Sequence, residues 1–510
     1  MVTAVAVLAT AAGGVALQSG TAPTAVQATP LQTRLDTLLD DSRYDGSQVA
    51  LVVRDATTGE TLYDRNGGQR MLPASNTKLF SSTAAMDVLG PSYRFRTDVL
   101  ATGPVHRGTL LGSLYLKGYG DPTALQSDYA GLAKQLAQSG VKRVIGDLVA
   151  DDTYFDHIRL GDSWAWDDEP FYYSAQISAL TLAPNTDYDS GTAIVESRPG
   201  ATVGAPVKLT LVPANGVLKL VSTAKTGAAG SSNTLSIERE HGTNIVRVTG
   251  SVPLGASVGT EWVTVWEPQV YAADVFRRAL AAEGISVIGR IKSAASPATA
   301  RVLARDESMT VGELMNPFMK LSNNMHAETL VKAMGAVAEA EGSWPAGLGV
   351  VTDYAQSVGV DTSTIRLSDG SGLSRKVNVT ADSITDLLIA VQQEPWWQQW
   401  YDALPIAGNP DRFTGGTLRS RMANTPAANN LHAKTGSLTG VTALSGYVTN
   451  ADGRKLVFSM MSNNYLVSPR SIEDAVGVTL ASWSDQAAIP TVSTLKTAQP
   501  TCDLDWDKAC

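Results

Sequence analysis

The stretch Leu72-Pro-Ala-Ser-Asn-Thr-Lys-Leu-Phe80 joins a predicted strand hairpin to an apolar helix, and it decides the fold. It sets Ser75 and Lys78 three positions apart at the start of that helix, where their side chains share one face. A lysine partly removed from water can lose its proton and activate a neighbouring serine hydroxyl. The positive end of the helix would also face an oxyanion that forms at the serine. The stretch therefore predicts a nucleophilic serine with a lysine as its base.

The Ser-x-x-Lys spacing is a weak signal by itself, because it also occurs at Ser139, Ser222 and Ser493. Two further short motifs accompany it in one group of serine enzymes, Ser-x-Asn and Lys-Thr-Gly, and both occur more than once here. Context chooses among the copies. Ser322-Asn-Asn324 leads into a helical pattern and Lys434-Thr-Gly436 leads into a hairpin, whereas Ser222 lies in a stretch rich in small residues and Ser493 in the tail. One ordered set of three motifs therefore remains.

Composition excludes several classes of protein. The chain has 510 residues, 44% of them hydrophobic, with a formal net charge of −9, which indicates a folded protein and argues against a nucleic-acid binder. Its five histidines show no metal-ligand spacing, so no metal and no other cofactor is expected. Cys502 and Cys510 stand in the tail, where they could close a small loop but could not staple the core.

Residues 1–29 are predicted to be a secretory signal peptide, because they are small and apolar and Val26-Gln-Ala28 offers the side chains that a signal peptidase reads. No Lys or Arg precedes this apolar run, so a weak membrane anchor or a disordered leader is the alternative. No later stretch has twenty unbroken apolar residues, and no membrane span is expected in the mature chain. The expected location is secreted, outside the cytoplasm.

Helix and strand patterns mix at both ends of the chain, and short alternating strands dominate between them. This organisation predicts one α/β unit that is split by a β-rich insertion of domain size. The predicted parts are the catalytic unit at 30–95 and 298–485, an inserted β-rich domain at 96–120 and 180–297, a second inserted sub-domain at 121–179, and a loose tail at 486–510.

Longer stretches surround the three motifs: besides Leu72–Phe80, they are Phe318-Met-Lys-Leu-Ser-Asn-Asn-Met-His-Ala-Glu328, Leu367-Ser-Asp-Gly-Ser-Gly-Leu-Ser-Arg375 and Ala433-Lys-Thr-Gly-Ser-Leu-Thr-Gly440. Together they resemble the class C, type-four penicillin-binding proteins, and among these the actinomycete exocellular DD-peptidases. The resemblance covers about residues 31–485. It implies an α/β penicillin-binding or transpeptidase-like fold, with an antiparallel sheet between helices. It also implies a cell-wall-associated serine D-alanyl-D-alanine carboxypeptidase.

The resemblance further implies the partners of this enzyme. The substrate would be a peptidoglycan stem peptide that contains diaminopimelate and ends in D-Ala-D-Ala, and β-lactams would be covalent inhibitors. Cleavage of crosslinks as an endopeptidase, the diaminopimelate isomer and the oligomeric state stay open at this stage.

A role for each catalytic motif residue follows from the same resemblance. Ser75 would form an acyl-enzyme with the penultimate D-Ala, and Lys78 would accept the serine proton. Ser322 would relay a proton to the leaving D-Ala, and Asn324 would orient Lys78 or the substrate amide.

The Lys-Thr-Gly segment would bind the far end of the substrate. Lys434 would attract the terminal carboxylate, and the hydroxyls of Thr435 and Ser437 would hydrogen-bond it, with Gly436 between them in the same segment. The backbone N–H groups of Ser75 and Ser437 would form an oxyanion hole, in which one donor is typically worth a factor of about 10²–10³ in rate.

A side pocket is the last feature that the resemblance implies. It would hold the free end of the diaminopimelate side chain, and the matching positions are Asp168, Tyr173, Arg375 and Leu438. A zwitterionic terminus suits opposite charges on the protein, which Asp168 and Arg375 would supply. Without the resemblance, these two residues could equally form a surface salt bridge.

Other functions are less well supported by the residues. A Ser-His-Asp triad would need a G-x-S-x-G elbow, and Asp369-Gly-Ser-Gly has Asp at the first position, while His326 fits a structural role. A β-lactamase would need a base for deacylation, and no Glu loop of the class A kind is found. A protein that is acylated or binds peptidoglycan without turnover remains an alternative, although no catalytic position is substituted.

Overall fold

A computed structural model describes residues 29–485, which form eleven α-helices and twenty-two strands. The helices are α1 (Pro30–Leu39), α2 (Thr77–Val88), α3 (Gln126–Gln138), α4 (Pro268–Ala282), α5 (Val311–Leu321), α6 (Asn324–Ala338), α7 (Trp344–Ser357), α8 (Ala381–Ala390), α9 (Trp397–Asp402), α10 (Arg412–Gly415) and α11 (Arg470–Ser482). The strands are β1 (Gln48–Asp55), β2 (Thr61–Arg65), β3 (Arg94–Ala101), β4 (Val105–His106), β5 (Thr109–Leu110), β6 (Leu114–Gly118), β7 (Arg143–Val144), β8 (Leu148–Asp151), β9 (Thr192–Arg198), β10 (Lys208–Val212), β11 (Lys219–Ser222), β12 (Lys225–Gly227), β13 (Ser236–Arg239), β14 (Ile245–Thr249), β15 (Ser251–Pro253), β16 (Gly259–Thr264), β17 (Ser286–Val287), β18 (Ile291–Ser293), β19 (Arg301–Thr310), β20 (His432–Leu438), β21 (Val441–Thr449) and β22 (Lys455–Asn463).

Strands from both ends of the chain meet in one five-stranded sheet, in the order β2-β1-β22-β21-β20, with every neighbouring pair antiparallel. In β1, Ala50 and Val52 pack on one face of the sheet and Val49, Leu51 and Val53 on the other, because side chains alternate along a strand. Both faces are apolar, so both need a cover of helices.

The two faces are covered by different helices. One core contains apolar residues of α1 and α11, and the other contains residues of α2 and α5 to α8. The predicted fold class is confirmed, since an antiparallel sheet lies between helices. Helix α2 is buried on nearly all sides, from Thr77 to Met86, which agrees with its lack of a polar face.

The insertion runs from β3 to β19, and its strands form sheets that are separate from the main sheet β2-β1-β22-β21-β20. The pairing of β3 with β19 closes its base, next to α2 and α5. Strands β7 and β8 share sheets with strands on either side of them in the chain, and α3 and α4 pack on one common core with them. The predicted boundary between residues 121–179 and the rest of the insertion stays a prediction.

One long segment of the insertion, residues 152–191 between β8 and β9, has only two 3-10 turns, Trp166–Asp168 and Tyr172–Ser174. This connecting segment passes the second motif and carries two of the predicted pocket residues. Among residues 29–485, no helix has both the length and the apolar character needed to cross a membrane. Residues 1–28 of the predicted signal peptide, the predicted tail at 486–510 and its two cysteines lie outside the described residues.

Candidate active site

The predicted nucleophile stands on a turn where three segments of the chain make backbone contact. Ser75 lies in the 3-10 turn Ala74–Asn76, which leads directly into α2, and Ala74 before it has φ 47°. A Cβ at Gly436 would come within 2.6 Å of the Pro73 carbonyl oxygen, and one at Gly372 within 1.8 Å of the Ala74 carbonyl oxygen. Glycine is therefore required where β20 and the loop after α7 approach this turn.

Lys78 is fully buried, and its terminal nitrogen lies within hydrogen-bond distance of three oxygens. Its Nζ lies 2.8 Å from Ser75 Oγ, 2.7 Å from Asn324 Oδ1 and 3.0 Å from the Ser371 carbonyl oxygen. Asn324 Nδ2 donates to the Tyr173 carbonyl oxygen at 2.8 Å, which fixes Oδ1 toward the lysine. A neutral amine keeps two N–H groups for Asn324 and Ser371 and turns its lone pair to the Ser75 hydroxyl. The geometry thus suits a lysine that takes the serine proton.

A second lysine pairs with the second serine. Lys434 on β20 is fully buried, and its Nζ donates to Ser322 Oγ at 2.7 Å and to the Thr435 carbonyl oxygen at 2.9 Å. Ser322 follows α5 with φ 58°, so the helix ends there and the next one starts at Asn324. The Thr435 hydroxyl donates to Thr417 Oγ1 at 2.8 Å.

The third motif lies on an edge strand of the sheet that contains β1, because β20 is the last strand in the order of that sheet. Ser437 is nearly buried, and Arg470 at the start of α11 donates to its Oγ at 3.1 Å. Sequence analysis did not single out Arg470, which is a second basic side chain at this strand besides Lys434. An extended peptide could add to such an edge, as in other cases of strand addition.

The four side-pocket residues approach one another at the end of β20. The Tyr173 hydroxyl donates to Asp168 Oδ1 at 2.9 Å, and burial raises the pKa of Asp168 while Arg375 opposes that rise. Arg375 is exposed and donates to the Thr439 carbonyl oxygen at 3.1 Å. Leu438 is nearly buried in a small apolar cluster against which Tyr173 packs. The arrangement offers an anion, a cation and an apolar floor.

Two buried carboxylates behind the lysine were missed by sequence analysis, although their stretches were quoted. Glu328 accepts from the N–H groups of Gly370 and Ser371, at 2.9 and 2.8 Å, and from Trp344 Nε1 at 2.7 Å. Burial and the nearby carboxylate of Asp369 raise the pKa of Glu328. Glu328 therefore holds the loop whose Ser371 carbonyl oxygen faces Lys78.

Asp369 holds the other half of the same loop. Its carboxylate accepts from the N–H groups of Gly372 and Ser374, at 2.8 and 2.6 Å, and from Trp164 Nε1 at 3.0 Å. Burial raises the pKa of Asp369, and the hydrogen bonds from the Ser374 N–H and from Trp164 oppose that rise. The signal that could have revealed both acids is the Gly-rich loop, which needs partners for its backbone N–H groups when buried.

The rival triad is not assembled by the contacts of His326. Its Nε2 lies 2.9 Å from the Tyr188 carbonyl oxygen in the insertion, and burial lowers the pKa of His326 to about 3. A neutral histidine bonded to the backbone is a structural one, as its sequence context indicated. Among residues 29–485, no group of three or more His, Cys, Asp or Glu side chains could hold a metal ion.

A serine in hydrogen-bond contact with a buried lysine, beside a Lys-Thr-Gly edge strand, is typical of the active-site serine enzymes that include the penicillin-binding proteins. The chain belongs to the D-Ala-D-Ala carboxypeptidase 3 (S13) family, whose model matches residues 31–483.

Relatives of known name support this assignment. The chain is 45% identical over 464 residues to the D-alanyl-D-alanine carboxypeptidase of Actinomadura sp. (strain R39), which covers 90% of this chain and 86% of the relative. It is 28% identical over 428 residues to D-alanyl-D-alanine carboxypeptidase DacB of Haemophilus influenzae, covering 82% of this chain and 86% of the relative. The predicted family and the predicted class of serine peptidase are confirmed.

Solved structures give the same result. The crystal structure of penicillin binding protein 4 (dacB) from Haemophilus influenzae matches with a TM-score of 0.76 and 26% identity, over 88% of this chain and 98% of that one. The same protein complexed with a β-lactam matches with a TM-score of 0.70 and 25% identity, over the same shares of 88% and 98%.

Proposed function

We propose that this protein removes the terminal D-Ala from peptidoglycan stem peptides through an acyl-enzyme on Ser75, and that it acts outside the cytoplasm. The observation that carries the proposal is the 2.8 Å contact between Nζ of the fully buried Lys78 and Oγ of the partly exposed Ser75. Family membership supports the reaction, and the family resemblance together with the contacts of the motif residues supports the role proposed for each residue.

Acylation begins when neutral Lys78 takes the Ser75 proton and Oγ attacks the carbonyl carbon of the penultimate D-Ala. The oxyanion of the tetrahedral intermediate is stabilised by the backbone N–H groups of Ser75 and Ser437. Ser322 Oγ accepts from Lys434 at 2.7 Å, so its own hydrogen is available to the leaving nitrogen. The C–N bond then breaks and D-Ala leaves as the amine, while the peptide remains as an ester on Ser75. The proton that Lys78 took from Ser75 restores the Ser322 hydroxyl, and Lys78 is neutral again.

Deacylation returns the enzyme to its first state. Water attacks the ester carbonyl and loses a proton to Lys78, and the Ser75 oxygen leaves as the hydroxyl. The product is the stem peptide that ends in a single D-Ala. A β-lactam would enter the same path through opening of its ring, and its ester would leave more slowly.

The substrate carboxylate would bind at the edge of β20. Lys434 and Arg470 supply positive charge there, and the Thr435 and Ser437 hydroxyls supply hydrogen bonds. Gly436 leaves space for the nucleophile turn beside the strand. This charge arrangement favours a peptide with a free C-terminus over an internal peptide bond.

The side pocket would select the residue before the two D-alanines. A diaminopimelate end carries an ammonium group and a carboxylate, which suit Asp168 and Arg375 respectively, and its methylene groups suit Leu438 and Tyr173. The proposed substrate class is therefore a stem peptide whose diaminopimelate end is not crosslinked.

Intact-protein mass spectrometry after incubation with benzylpenicillin tests the nucleophile. Wild type should gain one stable adduct, and Ser75→Ala should gain none. Ser222→Ala is a matched control, because Ser222 begins another Ser-x-x-Lys copy and is exposed, and it should be acylated like wild type.

Release of D-Ala from a diaminopimelyl-D-Ala-D-Ala peptide then separates a peptidase from a protein that only binds. An adduct without D-Ala release would contradict the proposed activity. Fast hydrolysis of benzylpenicillin without an adduct would indicate a β-lactamase. A crosslinked dimer offered as the substrate measures endopeptidase action in the same assay.

A further inference from the structure

Two residues of the side pocket lie in a segment that has too little regular secondary structure to fix its own geometry. Asp168 and Tyr173 lie in the connecting segment 152–191, where the two 3-10 turns are too short to hold a fixed geometry alone. Glu169 follows Asp168 directly, but it is nearly buried, whereas Asp168 is only half-buried. The contacts of Glu169 therefore decide where Asp168 stands.

Glu169 forms an ion pair with an arginine of the β13–β14 hairpin in the insertion. Arg239, the last residue of β13, is 1% exposed and forms an ion pair with Glu169 Oε1. Its Nη2 also donates to the Glu169 carbonyl oxygen at 3.2 Å, and its Nη1 to the carbonyl oxygens of Glu240 and Thr243, at 3.0 and 2.6 Å. Its Nε donates to Thr264 Oγ1 at 2.9 Å.

Thr264 links this arginine to the same segment. Its hydroxyl lies 3.1 Å from the Glu169 carbonyl oxygen and 3.0 Å from that of Pro170. Phe171 then forms an isolated β-bridge with Val263, which precedes Thr264 on β16. The segment between the two pocket residues is thus attached to β13 and β16.

A histidine from the same hairpin lies close to the other oxygen of Glu169. His241, in the loop between β13 and β14, places Nδ1 3.1 Å from Glu169 Oε2. Its ring lies 4.4 Å from the ring of Trp166, at the other side of Asp168. One oxygen of this buried carboxylate is therefore paired with Arg239, and the other lies beside His241 without a hydrogen bond to it.

We infer that Arg239 is a positioning residue for substrate selection, and that the β13–β14 hairpin holds Asp168 in place through Glu169, whereas Tyr173 is anchored separately by Asn324 at its carbonyl oxygen. The inference rests on the proposed side pocket. Arg239 does not touch the reacting atoms, so its loss would disturb recognition of the substrate side chain and leave acylation of Ser75 itself intact. The inference gives the β13–β14 hairpin of the insertion a role in substrate specificity.

The test compares two peptides that end in diaminopimelyl-D-Ala-D-Ala, one with a free side-chain amine and one with that amine acetylated. Arg239→Met should lower kcat/KM for the free-amine peptide by about tenfold, through KM, because displacement of a positioning group by about 1 Å is enough for such a loss. The acetylated peptide and acylation by benzylpenicillin should change by less than about twofold. Arg247→Met is the control, since Arg247 forms an exposed ion pair with Glu240 in the same hairpin.

Arg239→Met leaves Glu169 as a buried charge without its arginine, which could unfold the protein. The double variant Arg239→Met with Glu169→Leu removes both charges, should fold, and should show the same loss of discrimination. Full discrimination by this double variant would overturn the inference, as would a parallel loss of benzylpenicillin acylation in either variant.

Asp168→Asn separates the inference from the proposed function. If Asp168→Asn reduces discrimination and the Arg239 variants do not, the hairpin's role is wrong and the pocket stands. If Asp168→Asn has no effect, the pocket is wrong and the inference falls with it.

Discussion

The proposed role of Lys78 as a base depends on a balance of hydrogen bonds at one nitrogen. Two of its three partners, Asn324 and the Ser371 carbonyl oxygen, only accept, and the third is a hydroxyl that can donate as well. The neutral amine therefore satisfies all three contacts without a change of position. This is the arrangement that a base needs before the substrate arrives.

Lys78→Met should abolish acylation while the fold is kept. The thioether side chain fills a similar volume but cannot take the Ser75 proton, and loss of a positioned base typically lowers the rate by about 10²–10⁴. The measurement is the second-order rate of adduct formation with benzylpenicillin, with circular dichroism to show folding. Lys225→Met, the exposed lysine of the Ser222 copy, should react like wild type. A folded Lys78→Met that reacts as fast as wild type would exclude Lys78 as the base.

Glu328 should make stability depend on pH. Burial and the Asp369 carboxylate raise the pKa of Glu328 from 4.5 to about 7, so the folded protein binds this proton more tightly than the unfolded chain does. Its contribution to stability is complete below the unfolded value and is lost as pH rises through the folded value. The unfolding free energy of wild type should therefore fall between pH 4.5 and pH 7.

Glu328→Gln removes this titration. Its amide N–H₂ would face one of the two backbone N–H groups that the carboxylate now accepts, so the variant should be less stable than wild type at about pH 5. Denaturant unfolding should show the difference between the two proteins narrowing by about pH 8. Glu339→Gln, the exposed acid that caps the end of the same helix, should follow wild type. A constant difference across this range would show that Glu328 is ionised throughout.

At the scale of elements, the site depends on how closely β20 approaches the turn before α2. Gly436→Ala should destabilise the protein by about 1–3 kcal/mol and slow acylation, because the new methyl group would push against the Pro73 carbonyl oxygen at 2.6 Å. Unfolding free energy and the rate of benzylpenicillin acylation are the measurements.

Gly349→Ala is the control for that change, since Gly349 lies in α7 with open space around its Cβ position. Alanine in a helix should raise stability by about 0.5–1 kcal/mol. If both substitutions behaved alike, contact between β20 and the nucleophile turn would not control the site.

The elements also show how far the sequence carries a prediction. Short motifs in order, each at the start of a helix or strand, locate Ser75, Lys78, Ser322, Asn324 and Lys434, because that chemistry needs particular residue types at fixed spacing. Arg470 and the two carboxylates at 328 and 369 have no such spacing, since their role depends on burial. Arg239 is far from Asp168 in the sequence, and no local pattern connects an arginine at a strand end with a loop of another sheet.

At the scale of the whole molecule, the insertion is attached directly to the second motif. Asn323, between Ser322 and Asn324, donates to Asp189 Oδ1 and to the Tyr188 carbonyl oxygen, both at 3.1 Å. The contacts join a catalytic segment to a part of the insertion that precedes β9. Movement of the insertion would therefore reach the catalytic serines.

Asp189→Ala should lower the rate of benzylpenicillin acylation by about tenfold, because the Asn323 side chain loses a buried partner and the motif beside it loosens. Asp162→Ala is the matched control. Asp162 also links the insertion to the catalytic unit, through Lys376, but this ion pair is exposed and should contribute little. Equal rates for wild type and Asp189→Ala would show that the insertion does not support the second motif.

The order of strands in the main sheet has a consequence for the time at which the enzyme comes into being. Strand β1 is next to β22, so the sheet stays open until the chain has been synthesised through Asn463. A growing chain carries Ser75 and Lys78 long before it carries Lys434, and until then it has a nucleophile without a place to bind its substrate. The proposed site can therefore be completed only after β22 has been synthesised. A factor that keeps the β21–β22 hairpin from pairing with β1, on the ribosome or during transport, would keep the completed polypeptide inactive.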